Sequence, residues 1–229
     1  MAILEDTTSL EIYLAPAEFL NSDHPSIIEF ARKHSRHDAS DIENAISLYE
    51  AARDEIIYTP YWNFNDMETF RASNCLVTGK GMCQSKAAFL AASARAVGIP
   101  ARIGFADVTN HMSSQKFLDL LGTNIFYWHA YTDLYLNGKW VKATPAFDSE
   151  LCKSFNVAPL EFNGQDDSLF QALNSDNKKF MEYVGDHGTF PDLPVAQILS
   201  ELRLHYPNYF KKAEDQLGTP LKEEVDAEK

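Results

Sequence analysis

The chain has 229 residues, 45% of them hydrophobic, and a formal net charge of −13. That length buries one large core or a core with a helical annex, and the charge argues against nucleic acid or anionic lipid as the main partner, since both need a positive face. Three cysteines, Cys75, Cys83 and Cys152, cannot all pair and form no Cys-x-x-Cys unit, which excludes a disulfide framework and fits a reducing interior.

The stretch from Met1 to Asp6 has no basic region and no long apolar run, and no later segment is long enough to span a bilayer. A cytoplasmic protein without membrane partners is expected. His24-Pro25 opens a helical segment carrying Ile27, Ile28, Phe30 and Ala31. Ser40 and Glu43 have capping-box spacing for the next helix, with Ile42, Ala45, Ile46, Tyr49 and Ala52 on one stripe. His34 and His37 lack a thiol or carboxylate partner in register, so no metal is expected, and no motif calls for a cofactor.

Gly81-Met82-Cys83 lies where a glycine-broken loop gives way to an alanine-rich run from Gln84 to Val97, stopped by Gly98 and Pro100. A helix starting at Cys83 follows. Unpaired N–H groups and the dipole of a first turn favour thiolate over thiol, lowering a cysteine pKa from about 8.5 toward 7. The commoner fate of a single thiol is to be buried and inert.

Ala101 to Val108 alternates as a strand does, with Thr109-Asn110-His111 as its exit. A short helix should follow, capped by Ser113, apolar through Phe117, Leu118, Leu120 and Leu121, and ended by Gly122. This insertion is placed to wall a cleft, with His111 either near substrate or bonded to backbone.

Phe126 to Leu136, then Asn137-Gly138, then Lys139 to Pro145 read as a β-hairpin, because a type I′ turn needs positive φ at both central residues. A two-residue loop sets Leu136 against Lys139, Asp133 against Lys142 and His129 against Ala146. Period two then places His129, Tyr131, Asp133 and Tyr135 on one face with Trp140, Lys142, Thr144 and Ala146. The same parity carries Asp148 to that face, past Pro145, where regular pairing should end.

A thiol is activated by an imidazole that takes its proton, and the imidazole by a carboxylate that fixes its tautomer. Cys83, His129 and Asp148 supply these groups. Their order resembles the core of the transglutaminase-like superfamily in its bacterial type, over about residues 54 to 148. The resemblance is carried by Gly81-Met82-Cys83, Ala92 to Arg102 with its Gly-Ile-Pro-Ala-Arg ending, His129-Ala130-Tyr131, and Trp140 to Pro145. It implies an α+β, papain-like fold in which N-terminal helices support a catalytic helix packed on an antiparallel sheet.

One position departs from the superfamily pattern: the acid that precedes the hairpin proline is Thr144 here. Either Asp148 substitutes from downstream, or Cys83 and His129 act as a dyad with Thr144 or a backbone carbonyl orienting the imidazole, or the site is inert. The face argument favours Asp148. An oxyanion would meet the Cys83 N–H and a second donor, for which Trp62, Tyr58 and Asn74 are candidates not separated by spacing. The resemblance further implies that Tyr58 leads toward the catalytic loop.

Beyond Asp148, Glu150 to Cys152, Pro159 to Phe162 and Tyr183 to Pro194 read as irregular loops, followed by a helix from about Val195 to His205. Residues 1–215 are expected to form one transglutaminase-like domain and 216–229 an acidic, frayed tail. The expected function is thiol-dependent acyl transfer on amide or peptide substrates through a thioester, as a protease or amidase if water resolves it and a transglutaminase if an amine does. Two alternatives are a non-catalytic domain that binds peptide or protein partners and a redox thiol. The sequence fixes no oligomeric state.

Overall fold

The computed structural model describes residues 10–111, 113–169, 181–212, 217 and 219–228. Helix α1, Pro25–Lys33, begins as its sequence dictates, with Pro25 at the first helical position and the His24 ring accepting the Ser26 N–H. Helix α2, Asp41–Asp54, carries the expected capping box: Ser40 Oγ accepts the Glu43 N–H at 3.3 Å and Glu43 Oε2 accepts the Ser40 N–H at 2.8 Å.

Strand β1, Ile57–Tyr58, pairs in parallel with β2, Lys80–Gly81, across the short helix α3, Asn74–Thr78. This pairing brings Tyr58 beside the start of α4, Cys83–Ala96. Helix α4 runs through the core, with Ala87, Ala88, Phe89, Leu90, Ala91, Ala92 and Ala94 all fully buried. Its alanines let α1 and α2 approach from one side and the sheet from the other. The Phe30 and Phe89 rings meet at 4.6 Å in that layer.

The main sheet is antiparallel, in the order β5-β4-β3-β6, from β3 (Ala101–Asn110), β4 (Ile125–Leu136), β5 (Lys139–Ala143) and β6 (Met181–Phe190). Helix α5, Gln115–Leu121, joins β3 to β4 and is capped by Ser114, one residue after the expected Ser113. The hairpin has the expected register, Leu136 with Lys139 and Asp133 with Lys142, and Asn137 and Gly138 take φ of 49° and 82°. The ion pair of Asp133 is with Arg102 at 2.8 Å, whereas Lys142 lies over the Tyr131 ring.

Three segments differ from their sequence reading. Tyr183 to Phe190, expected as irregular loop, belong to strand β6; its two glycines and interspersed charges hide the alternation, and two register shifts against β3 absorb the irregularity. Glu150 to Cys152 belong to helix α6, Ser149–Phe155, capped by Asp148. After α7 (Val195–His205) and α8 (Tyr209–Lys212), the described part of the expected frayed tail is helix α9, Leu221–Ala227, with Leu221, Glu224 and Val225 buried. A carboxylate inside an acidic stretch finds partners only in the folded chain, which is why the tail reads as solvated in sequence. No helix among the described residues is long and apolar enough to cross a membrane.

Candidate active site

Cys83 is the first residue of α4, reached through an extended Met82 and through Gly81. A Cβ on Gly81 would lie 2.7 Å from Lys86 Cγ and 3.1 Å from Ser85 Oγ, so only glycine lets β2 run this close to the helix start. Ser85 Oγ accepts the Met82 N–H at 3.0 Å and fixes the turn. The thiol is half-buried and donates to Gln84 Oε1 at 3.0 Å.

The local electrostatics run against the sequence expectation of an acidic thiol. Burial pushes Cys83 up to about 11, opposed by the backbone N–H groups of Ala130, Gln84 and Cys83 that lie against the sulfur. Desolvation outweighs the helix terminus. The thiol opens on a cleft of about 450 Å³ whose walls include Tyr58, Phe117, Leu121, Tyr127, Leu202 and Tyr206. No charged side chain lines it among the described residues. The Tyr206 hydroxyl is held by the Tyr127 N–H at 2.6 Å and by the Ile125 carbonyl at 2.9 Å, so it braces the wall.

His129 is buried on β4 opposite Ala106. Burial alone pushes its imidazole down to about 4, which leaves the ring neutral near pH 7. Three residues on, Thr132 Oγ1 donates to the Ala87 carbonyl of α4 at 2.8 Å, so the even-numbered residues here face α4. His129 alternates with them and lines a small cavity with Thr144, Ala146 and Phe147, as the shared face of the hairpin implies. Cys83 sulfur and the His129 ring therefore meet β4 at adjacent residues but open into different cavities. No hydrogen bond joins them, and among the described residues His129 Nδ1 is buried without a partner.

Asp148, expected to orient His129, has both oxygens engaged elsewhere. Oδ1 caps α6 through the Leu151 N–H at 2.9 Å, and Oδ2 accepts the Tyr58 N–H at 2.9 Å. Thr144 is buried; its carbonyl accepts from Tyr49 at 3.2 Å and its N–H donates to the Ser168 carbonyl at 2.9 Å. Of the three oxyanion candidates, Tyr58 lines the Cys83 cleft, the Trp62 indole N–H points to Ser85 Oγ at 3.4 Å, and Asn74 starts α3 away from the cleft wall. His111 pairs with Glu182 at 2.6 Å.

Sequence reasoning passed over Gln84, Trp128, Asp107 and His187. Gln84 is buried beside the thiol and also donates to the Trp128 carbonyl at 2.9 Å. Trp128 sits in a bulge of β4 against β3 with φ of 57°, a conformation uncommon outside glycine. Adjacency to Cys83 is the one sequence signal that could have singled out Gln84; the bulge had none.

The family model of the transglutaminase-like superfamily matches residues 28–145, a span that takes in Cys83, His129 and Thr144 and stops short of Asp148. Among solved structures, a "Putative Cysteine Protease" from Cytophaga hutchinsonii superposes with a TM-score of 0.50 at 15% identity, over 84% of this chain and 50% of its own. A "Putative Protease" from Parabacteroides distasonis gives 0.38 at 14% identity, over 59% of this chain and 25% of its own. The chain thus spans half the length of the first and a quarter of the second, and the first likeness bears on the fold. No curated protein matches the sequence.

Proposed function

The chain belongs to the transglutaminase-like superfamily, and from that premise we propose that it catalyses thiol-dependent acyl transfer from an amide or peptide. The observation that carries this reading is His129 Nδ1, a buried imidazole nitrogen left without a partner among the described residues, one residue from where the Cys83 sulfur meets β4. An unpaired buried polar atom is costly, and burial keeps this ring neutral, the form in which a general base must rest.

In this reading Cys83 Sγ attacks the carbonyl carbon, and its proton, released from Gln84 Oε1, reaches the neutral imidazole of His129 through one bridging water, since the two groups share no hydrogen bond. The C–N bond then breaks as that proton passes to the departing amine, leaving an acyl thioester. Water or an amine resolves it. The backbone N–H groups of Cys83, Gln84 and Ala130 beside the sulfur are the proposed donors to the tetrahedral oxygen. The uncharged cleft fits an apolar group beside the carbonyl.

Asp148 is spoken for by α6 and Tyr58, so the proposed machinery is a Cys83–His129 dyad with Thr144 beside the ring rather than a triad. A protein or peptide is the proposed substrate. The test is the pH dependence of Cys83 alkylation by iodoacetamide, together with mass detection of a thioester from N-acyl anilides with apolar acyl groups. Loss of the thioester together with slower Cys83 labelling in His129→Ala supports the proposal.

A second reading, a non-catalytic domain that holds a peptide, is favoured by the thiol bonded to Gln84 and by the raised Cys83 pKa. An ordinary thiol profile, indifferent to His129, would select it.

A further inference from the structure

Gln84 connects the sulfur to the sheet. Its Oε1 accepts from Cys83 at 3.0 Å, and its Nε2 donates to the Trp128 carbonyl at 2.9 Å. The side chain is buried, so neither bond competes freely with water. Trp128, in turn, has φ of 57°, and a non-glycine residue keeps such a backbone only where its surroundings enforce it.

Those surroundings are a carboxylate on the neighbouring strand β3 and an imidazole on β6, the strand beyond it. Asp107 Oδ1 accepts the Trp128 N–H at 3.0 Å and meets His187 Nε2 at 2.7 Å. The His187 ring stacks on the indole, with centroids 4.3 Å apart and planes at 13°. A continuous path of contacts therefore runs from the partly buried Asp107–His187 pair through the Trp128 backbone and Gln84 to the thiol. The acyl-transfer reading uses Gln84 only as the resting acceptor and leaves the other three residues without a role.

We propose that Gln84 is the positioning residue of Cys83, and that Asp107 and His187 fix its placement by pinning the Trp128 peptide. The amide works as a latch. While Oε1 holds the S–H the thiol stays protonated, and release of that bond frees the proton for transfer. The proposal rests on Cys83 as the reacting group, and its test reads the thiol rather than turnover. A protein that fails to form a thioester would therefore overturn the function proposed above without touching this assignment.

The experiment is the pH profile of Cys83 alkylation, followed by peptide mass, in the full chain of wild type, Gln84→Met, Gln84→Glu and His187→Phe. Gln84→Met keeps the length and removes the acceptor, so the midpoint should fall by about 0.5 to 1 pH unit, the size of one neutral hydrogen bond. Gln84→Glu keeps an acceptor and sets a negative charge beside the sulfur, so the midpoint should rise. His187→Phe preserves the stacking and breaks the contact with Asp107, and should move the midpoint in the Gln84→Met direction by less. Shifts of the same sign in both Gln84 variants, as mere loosening of the helix would give, or midpoints equal to wild type, overturn the assignment. If Gln84→Met does not fold, the sign of the Gln84→Glu shift decides. An unchanged His187→Phe profile removes Asp107 and His187 from it.

Discussion

Asp148 Oδ2 accepts the backbone N–H of Tyr58 at 2.9 Å, across 90 residues of sequence. The bond ties the short strand that walls the Cys83 cleft to the N-terminus of α6, whose Leu151 N–H takes the other oxygen. Both donors would be buried and unpaired without the carboxylate.

Asp148→Ala should therefore cost about 2 kcal/mol or more in denaturant unfolding, the sum of a lost cap and a buried N–H left open. Asp148→Asn, which keeps one acceptor, should cost about half as much. The dependence of Cys83 labelling on His129 should survive in Asp148→Asn. A profile displaced as far as in His129→Ala would instead return Asp148 to a triad.

His129 makes stability sensitive to acid. Its folded-state pKa of about 4 lies below the ordinary 6.5, so the unfolded chain binds the extra proton first as pH falls. Stability from this group is complete above about pH 6.5 and is lost progressively toward pH 4, by at most about 3 kcal/mol. Urea midpoints between pH 7 and 4 should fall more steeply in wild type than in His129→Gln; parallel slopes would contradict the burial of the ring.

Gly104 lies under the Tyr131 ring, where an added Cβ would overlap the phenol. Gly104→Ala should destabilise by about 2 kcal/mol or more, since a packed ring has to leave its place. The double variant with Tyr131→Ala should be more stable than the sum of the single effects predicts, a coupling read from a thermodynamic cycle. Strict additivity would mean that the two do not touch.

Glu224 anchors α9 to the cleft wall. Its Oε2 accepts from Tyr61 Oη at 2.7 Å and Ser114 Oγ at 2.9 Å, and its Oε1 pairs with Lys116 Nζ at 2.6 Å. Tyr61 packs edge-on against Phe117, which lines the Cys83 cleft. Glu224→Ala should lower stability by about 2 kcal/mol, and removal of residues 220–229 should speed alkylation of Cys83 by loosening α5. Unchanged labelling after truncation would show that the helix only decorates the surface.

What the sequence determined by itself was local. The capping pair Ser40 and Glu43, the proline at the start of α1, the alanine run after Cys83 and the Asn137-Gly138 turn each act within a few residues, and the structure has them where their chemistry requires. The hairpin register also came through, because period two leaves little freedom once the turn is set.

Only the tertiary structure decided what depends on burial or on distant partners. The ionisation of Cys83 followed desolvation rather than the helix terminus. The carboxylate of Asp148 went to two backbone N–H groups, one of them far away in sequence, and Glu224 drew an acidic tail into the body. Strand β6 exists because β3 offers it an edge, and the Trp128 bulge because Asp107 holds its N–H and Gln84 its carbonyl. A sequence shows which groups are present, but the energy of a charge or a hydrogen bond is set by the water it has lost and the partner it has gained, and both are properties of the packed chain.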